Sequence, residues 1–268
     1  MEAISEAIKK SKRGKRLTSG GPIPPPSSER QLKTAAKYHK RNTGQLSRNH
    51  LESERIVAFD GEDPESRPYD MLRTRLLQKL RFSNQQVIGI TSPRAQCGKT
   101  VTSTNLAFSL ARQPDQIVFL VDLDLRRPSI SRCLGFQTEL DVHDVLNGDA
   151  DLANAFVTPS LGGAGLRILA CSETVVDPSL IFHSDRIDNL MKSMKQAVGS
   201  GVIVIDLPPV LAADDVISLL PMIDCFLLVA EAGQTTPFEI EECERLLSDA
   251  ASIDIVLNKA DVTEAAYY

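Results

Sequence analysis

Tryptophan is absent from the 268-residue chain and aromatic residues make up only 5% of it, so the sequence lacks the stacking platforms on which single-strand nucleic-acid binders lay bases. Cys97, Cys133, Cys171, Cys225 and Cys243 form an odd set with no CxxC pair, which argues against a disulfide frame and a zinc site and fits a reducing compartment. His39, His50, His143 and His183 lack ligand spacing. No apolar run approaches the roughly 18 residues of a membrane-crossing helix, and the start MEAISEAIKKSKRGKR has no secretory core. The expectation is a cytoplasmic chain. Its 42% hydrophobic content is enough for the core of an α/β domain.

Charge is divided unevenly. Residues 1–50 hold 12 Lys+Arg against 3 Asp+Glu, a balance of +9, while the remainder carries −14. The arm contains GGPIPPPSS (Gly20 to Ser28) and little apolar periodicity, so residues 1–66 read as a basic, largely disordered arm, loosely held from about residue 18. Ile4 and Ile8 are spaced for a short helix over residues 3–10, ending in Lys9, Lys10, Lys12, Arg13, Lys15 and Arg16. Such a cluster suits peripheral attachment to an anionic membrane or an acidic partner, at about 1 kcal/mol per basic residue. A solvated tail accounts for the same charges. Nucleic acid is a weaker reading, because no groove-reading element follows.

From residue 67 to 262 the pattern predicts a doubly wound α/β domain with a mostly parallel sheet. Met71, Leu72, Leu76, Leu77 and Leu80 predict a helix over 69–81. VIGIT (87–91), IVFLVD (117–122), LRILA (166–170), VIVID (202–206), DCFLLVA (224–230) and IDIVL (253–257) read as strands. The strongest are continuously apolar, as strands covered on both faces are. Helices are expected over 100–112, 142–146, 180–198 and 239–249. LGGAG (161–165) reads as a surface turn.

Three strand ends carry the chemistry. SPRAQCGKT (Ser92 to Thr100) lies between the first strand and the next helix, the place of a phosphate-binding loop, although Pro93 stands where a standard loop has glycine. Backbone N–H groups and the helix N-terminus attract phosphate, Lys99 adds a cation and Thr100 a magnesium-ligating hydroxyl. VDLDLRRP presents Asp122 and Asp124 two apart, and VIVIDLPP ends its strand in Asp206. In an open parallel sheet all three acids meet the Lys99 loop at one edge. Carboxylates beside a phosphate site call for a divalent cation, and magnesium suits oxygen ligands.

SPRAQCGKT, VDLDLRRP, IDLPPV and VLNK together resemble the bacterial tyrosine autokinases of capsule and exopolysaccharide synthesis, relatives of the Min and Par partitioning ATPases, over about residues 66–260. The resemblance implies a Min/Par-like P-loop fold and transfer of phosphoryl from ATP with Mg²⁺ to protein tyrosine. It implies Lys99 on the phosphates, Thr100 on the metal, Asp122 as base, and Asp124 and Asp206 as holders of metal and waters. It places nucleotide contacts at Gln96, Cys97, Gly98, Lys99, Thr100 and Val101, with Asn258 near adenine. It implies phosphoacceptors Tyr267 and Tyr268 in the tail 263–268, a homo-oligomer, and activation at the inner face of the plasma membrane by a transmembrane polysaccharide chain-length (co-polymerase) protein.

The chain departs from that pattern. Relatives commonly read PGEGK where Ala95-Gln96-Cys97-Gly98-Lys99 stands here, and a positive φ at Gln96 costs about 1–2 kcal/mol. The ExxRxxR of ring-forming relatives falls on Arg67, Asp70 and Arg73, leaving one arginine of the pattern. Cys97, in the loop at a helix N-terminus, suits either a redox-sensitive thiol or, more simply, a tolerated small residue. Arg126 and Arg127 suit phosphate contact or pairing with an acidic neighbour. The alternative activities are a Min/Par-like ATPase switch, with water as nucleophile, and a nucleotide-binding scaffold.

Overall fold

A computed structural model describes residues 43–260, apart from Asn84, Val176, His183 and Ala251. The helix over 3–10, its basic cluster and the pair Tyr267 and Tyr268 lie outside the described residues. The strands are β1 (Thr43–Gly44), β2 (Val87–Thr91), β3 (Val118–Asp122), β4 (Thr158–Pro159), β5 (Leu166–Leu169), β6 (Val202–Asp206), β7 (Cys225–Glu231) and β8 (Ile253–Asn258). β5-β3-β6-β2-β7-β8 form one sheet in that order, every pair parallel, and β1 pairs with β4 in a small second sheet.

The apolar strands divide their side chains between two cores, as their period of two requires. Phe119, Val121, Ile203, Ile205, Phe226 and Leu228 enter one core. Val118, Leu120, Val202, Val204, Leu227 and Val229 enter the other. Each core is closed by helices, which is the doubly wound arrangement the continuous apolar runs predict.

Helix α1 spans Arg48–Ser53 and α2 spans Arg67–Ser83. On α2, Leu76 and Leu80 are buried and Leu72 and Leu77 pack partly, but Met71 is 55% exposed. It falls to one side of the row formed by Leu72, Leu76 and Leu80 at four-residue spacing. Helix α3 spans Lys99–Ala111, α4 Ile130–Leu134, α5 Val142–Asn147 and α6 Leu152–Ala155. The single helix expected over 180–198 is two, α7 (Ser179–Phe182) and α8 (Asp185–Val198). Ser184 is extended (φ −112°, ψ 158°) and its hydroxyl accepts from Arg186 N, so it caps α8 in place of continuing α7. Helix α9 spans Asp215–Leu219 and α10 spans Pro237–Leu246.

The loosely held lead-in expected through residue 66 does not extend that far. From Thr43 the chain is packed: Leu51, Ile56 and Ala58 are fully buried and Phe59 meets Phe108 edge-on at 6.3 Å between ring centroids. The backbone here is satisfied by one side chain. Asn105 of α3 accepts from Val57 N and Ala58 N at 2.8 and 2.9 Å and donates to Arg55 O at 2.9 Å. These apolar positions are irregularly spaced, which is why periodicity does not reveal them.

Leu51→Ala is expected to destabilise the domain by about 2–4 kcal/mol, the usual cost of an internal cavity. Chemical denaturation checks this, and an unchanged midpoint would contradict the packing of the lead-in on the core.

Candidate functional site

The register of the central strands builds the site. Asp122 on β3 and Asp206 on β6 are direct neighbours across the parallel pair, and Ile90 of β2 is the partner of Asp206 on the other side. The three strand ends that carry chemistry therefore lie side by side at one edge of the sheet.

β2 runs through the loop Ser92 to Gly98 into α3, whose first residue is Lys99. Gly98, the N-cap of α3, has φ 94°, and a Cβ on it would collide with Asn258 Nδ2. Gln96 also has positive φ, 69°, so the position where the resemblance leads one to expect glycine does take the left-handed conformation here. The carbonyls of this segment are held from β8: Asn258 Nδ2 donates to Cys97 O at 2.9 Å and Lys259 Nζ to Gln96 O at 2.8 Å. Cys97 is 2% exposed, which supports the reading of a small residue that fits the loop.

Lys99, Asp122, Asp124 and Asp206 converge as expected. Lys99 Nζ lies 2.7 Å from Asp124 Oδ2 and 3.6 Å from Asp206 Oδ2. Thr100 Oγ1 donates to Asp206 Oδ2 at 2.6 Å. That single hydroxyl proton being used, the 2.9 Å contact between Thr100 Oγ1 and Ser129 Oγ is a donation by Ser129. Asp122 Oδ2 accepts from Ser129 N at 2.9 Å and Ile130 N at 3.0 Å, while Oδ1 accepts from Asp124 N at 3.2 Å. Val101 follows on α3, partly buried.

Asp122 and Asp206 are both fully buried. Burial and the facing Asp206 push the Asp122 carboxyl up to about 8, against the amides of Ile130 and Ser129. Burial likewise raises Asp206, opposed by Lys99 and Thr100. Burial works against the Lys99 charge, yet Asp206 and Asp124 outweigh it and hold the ammonium up to about 12. Three buried carboxylates thus face one buried ammonium, a pocket with an excess of negative charge.

That excess fits a divalent cation. Asp206 Oδ1 is buried and has no hydrogen-bond partner, so one oxygen is left for a ligand. Among the described residues no three His, Cys, Asp or Glu side chains form a cluster that would hold a metal ion unaided. Magnesium needs no such cage, because it keeps waters and takes one or two protein oxygens beside phosphate.

Arg126 pairs with an acidic neighbour, Asp215, at 2.7 Å, a carboxylate that is 1% exposed. Asp70 is bonded by Arg73 at 2.8 Å, by Arg112 and by Ser109, so Arg73 is engaged within the domain. Sequence reading missed Ser129, which touches both Thr100 and Asp122 and follows RRP with no motif of its own. It also left Lys259, the last residue of VLNK, without a role. Among the described residues, no helix is long and apolar enough to cross a membrane.

Comparison with known proteins agrees with this geometry. The ParA family model, described as NUBPL iron-transfer P-loop NTPase, matches residues 83–242. A tyrosine-protein kinase ptk of Acinetobacter johnsonii is 29% identical over 170 residues, 63% of this chain but only 22% of the relative's length. A tyrosine-protein kinase CpsD of Streptococcus agalactiae is 26% identical over 204 residues, 74% of this chain and 85% of its own. The solved kinase domain of the Escherichia coli tyrosine kinase ETK is similar with a TM-score of 0.70 at 25% identity, covering 80% of this chain and 83% of that one. The chain is therefore similar to tyrosine kinases along most of the described domain, and it belongs to the ParA family of P-loop NTPases.

Proposed function

We propose that this protein is an ATP-dependent protein-tyrosine kinase of the bacterial type, acting in exopolysaccharide or capsule production. One observation carries the reading: Lys99, Thr100, Asp122, Asp124 and Asp206 meet in one buried pocket behind a phosphate loop. The similarity to tyrosine kinases supports the choice of acceptor.

Mg·ATP, when bound, supplies the phosphoryl group and a metal centre that neutralises its oxygens, in a transfer that depends mostly on positioning and electrostatics. The Lys99 ammonium and the N–H groups of Gln96 to Val101 would bind phosphate, and Asn258, bonded to Cys97 O, is the proposed adenine contact. Thr100 Oγ1, Asp124 and Asp206 hold the metal and its waters. Asp122, oriented by the amides of Ser129 and Ile130, receives the phenol proton of the acceptor at its carboxylate. A neighbouring cation would favour the ionised form of Asp122, the form that can accept a proton. Tyr267 and Tyr268 are the proposed acceptors. Asn258 to Tyr267 is nine residues, about 30 Å when extended, enough to reach a neighbouring copy. The partners in this reading are further copies of the chain and a transmembrane chain-length protein at the inner membrane face, with the basic arm assisting attachment.

Incubating the purified protein with γ-labelled ATP, magnesium and a fragment of a candidate activator tests this directly. Label on tyrosine supports the kinase, label released only as phosphate supports an ATPase switch, and no turnover leaves a scaffold. Lys99→Met and Asp122→Asn are each expected to reduce tyrosine labelling by at least about a hundredfold in folded protein, in line with loss of a charge clamp or general base. Tyr267→Phe combined with Tyr268→Phe should remove most self-labelling, and undiminished labelling would move the acceptor elsewhere.

Asp122 also predicts a pH dependence. Its folded pKa, about 8, lies above the ordinary carboxylate value of 3.8, so the folded state keeps a proton that the unfolded state releases. Stability from this group therefore falls as pH rises from about 4 to about 8. In urea melts without magnesium or nucleotide, Asp122→Asn should gain on the wild type between pH 5 and pH 8, and parallel curves would refute the buried proton.

A further inference from the structure

Four non-glycine residues have positive φ among the described residues, Arg55, Gln96, Asp115 and Lys259, and two of them are bonded to each other. Lys259, at φ 57°, places Nζ 2.8 Å from the carbonyl oxygen of Gln96, at φ 69° and 163 positions earlier. The same ammonium is fixed by Glu231 Oε1 at 3.0 Å, at the end of β7. The preceding residue, Asn258, fixes Cys97 O. Two consecutive residues at the end of β8 thus hold two consecutive carbonyls of the phosphate loop.

A side-chain-bearing residue in the left-handed region lies above its right-handed and extended alternatives, and it stays there only when its surroundings over-determine it. Ala95 and Gln96 sit in a turn of the loop, and that turn leaves Gln96 in the left-handed region. Its side chain is exposed, and the restraint on its carbonyl comes from outside. The Lys259 side chain is 42% exposed, so core packing does not explain its place. We propose that Lys259 is a positioning residue: a charged strut that holds Gln96 in the conformation the phosphate loop needs, in a chain lacking the glycine that would take it unaided. Glycine adopts positive φ about as readily as negative, so a loop with glycine in place of Gln96 needs the strut far less. The inference rests on the reading of this loop as a nucleotide site.

The test is a double-substitution cycle on the full chain: wild type, Lys259→Met, Gln96→Gly and the pair together. One readout is equilibrium binding of a fluorescent ADP analogue with magnesium, the other the melting temperature without nucleotide. Lys259→Met should weaken binding about tenfold with Gln96 present and by less than about twofold in the Gln96→Gly background, the loss expected for a charge-assisted hydrogen bond. The drop in melting temperature should shrink in the same way. Equal losses in both backgrounds, or none in either, overturn the strut. If the wild type does not bind the analogue, the nucleotide reading fails, while the melting cycle still decides the strut. If Lys259→Met alone does not fold, recovery by Gln96→Gly supports the proposal and failure of the double variant contradicts it.

Discussion

Two fully buried carboxylates, Asp122 and Asp206, are set side by side by the register of β3 and β6, and the rest of the site answers to that like-charge contact. Uncompensated, it would cost several kcal/mol. Lys99 between Asp124 and Asp206, the amides of Ser129 and Ile130 on Asp122, and the Thr100 hydroxyl on Asp206 offset it only in part. The remainder shows as a carboxyl that keeps its proton to about 8 and a carboxylate oxygen with no partner. The same repulsion would favour the binding of a cation at this place.

Most of this was legible in the sequence because it depends on strand ends. Continuous apolar runs identify buried parallel strands, and in such a sheet every carboxyl end lies on one edge, so residues from three distant segments can be assigned to one place without coordinates. The positive φ at Gln96 was also foreseeable, since a glycine position in related loops marks backbone geometry. What could not be read depends on contacts without a period. Ser129 acts through one hydroxyl and one amide, the lead-in from Thr43 packs through irregularly spaced apolar residues, and the break at Ser184 comes from a capping preference between two helical patterns. Met71 shows the converse: it fits a helical stripe in sequence yet lies outside the row that meets the core.

The fold also explains how one scaffold serves related chemistries. In the proposed roles, phosphate binding, metal holding and proton acceptance draw on three neighbouring strand ends, so the nucleophile would be chosen by whatever approaches Asp122 and not by the loop. Arg126, paired with Asp215 on α9, ties the segment after β3 to the segment after β6, and so links two of those strand ends independently of any ligand.

Asn105 has a wider meaning for the arm. It stands on α3, the helix that begins with Lys99 and Thr100, and its one amide group holds the backbone of Arg55, Val57 and Ala58. Local opening of residues 55–58 would therefore break three hydrogen bonds to the helix that begins with Lys99.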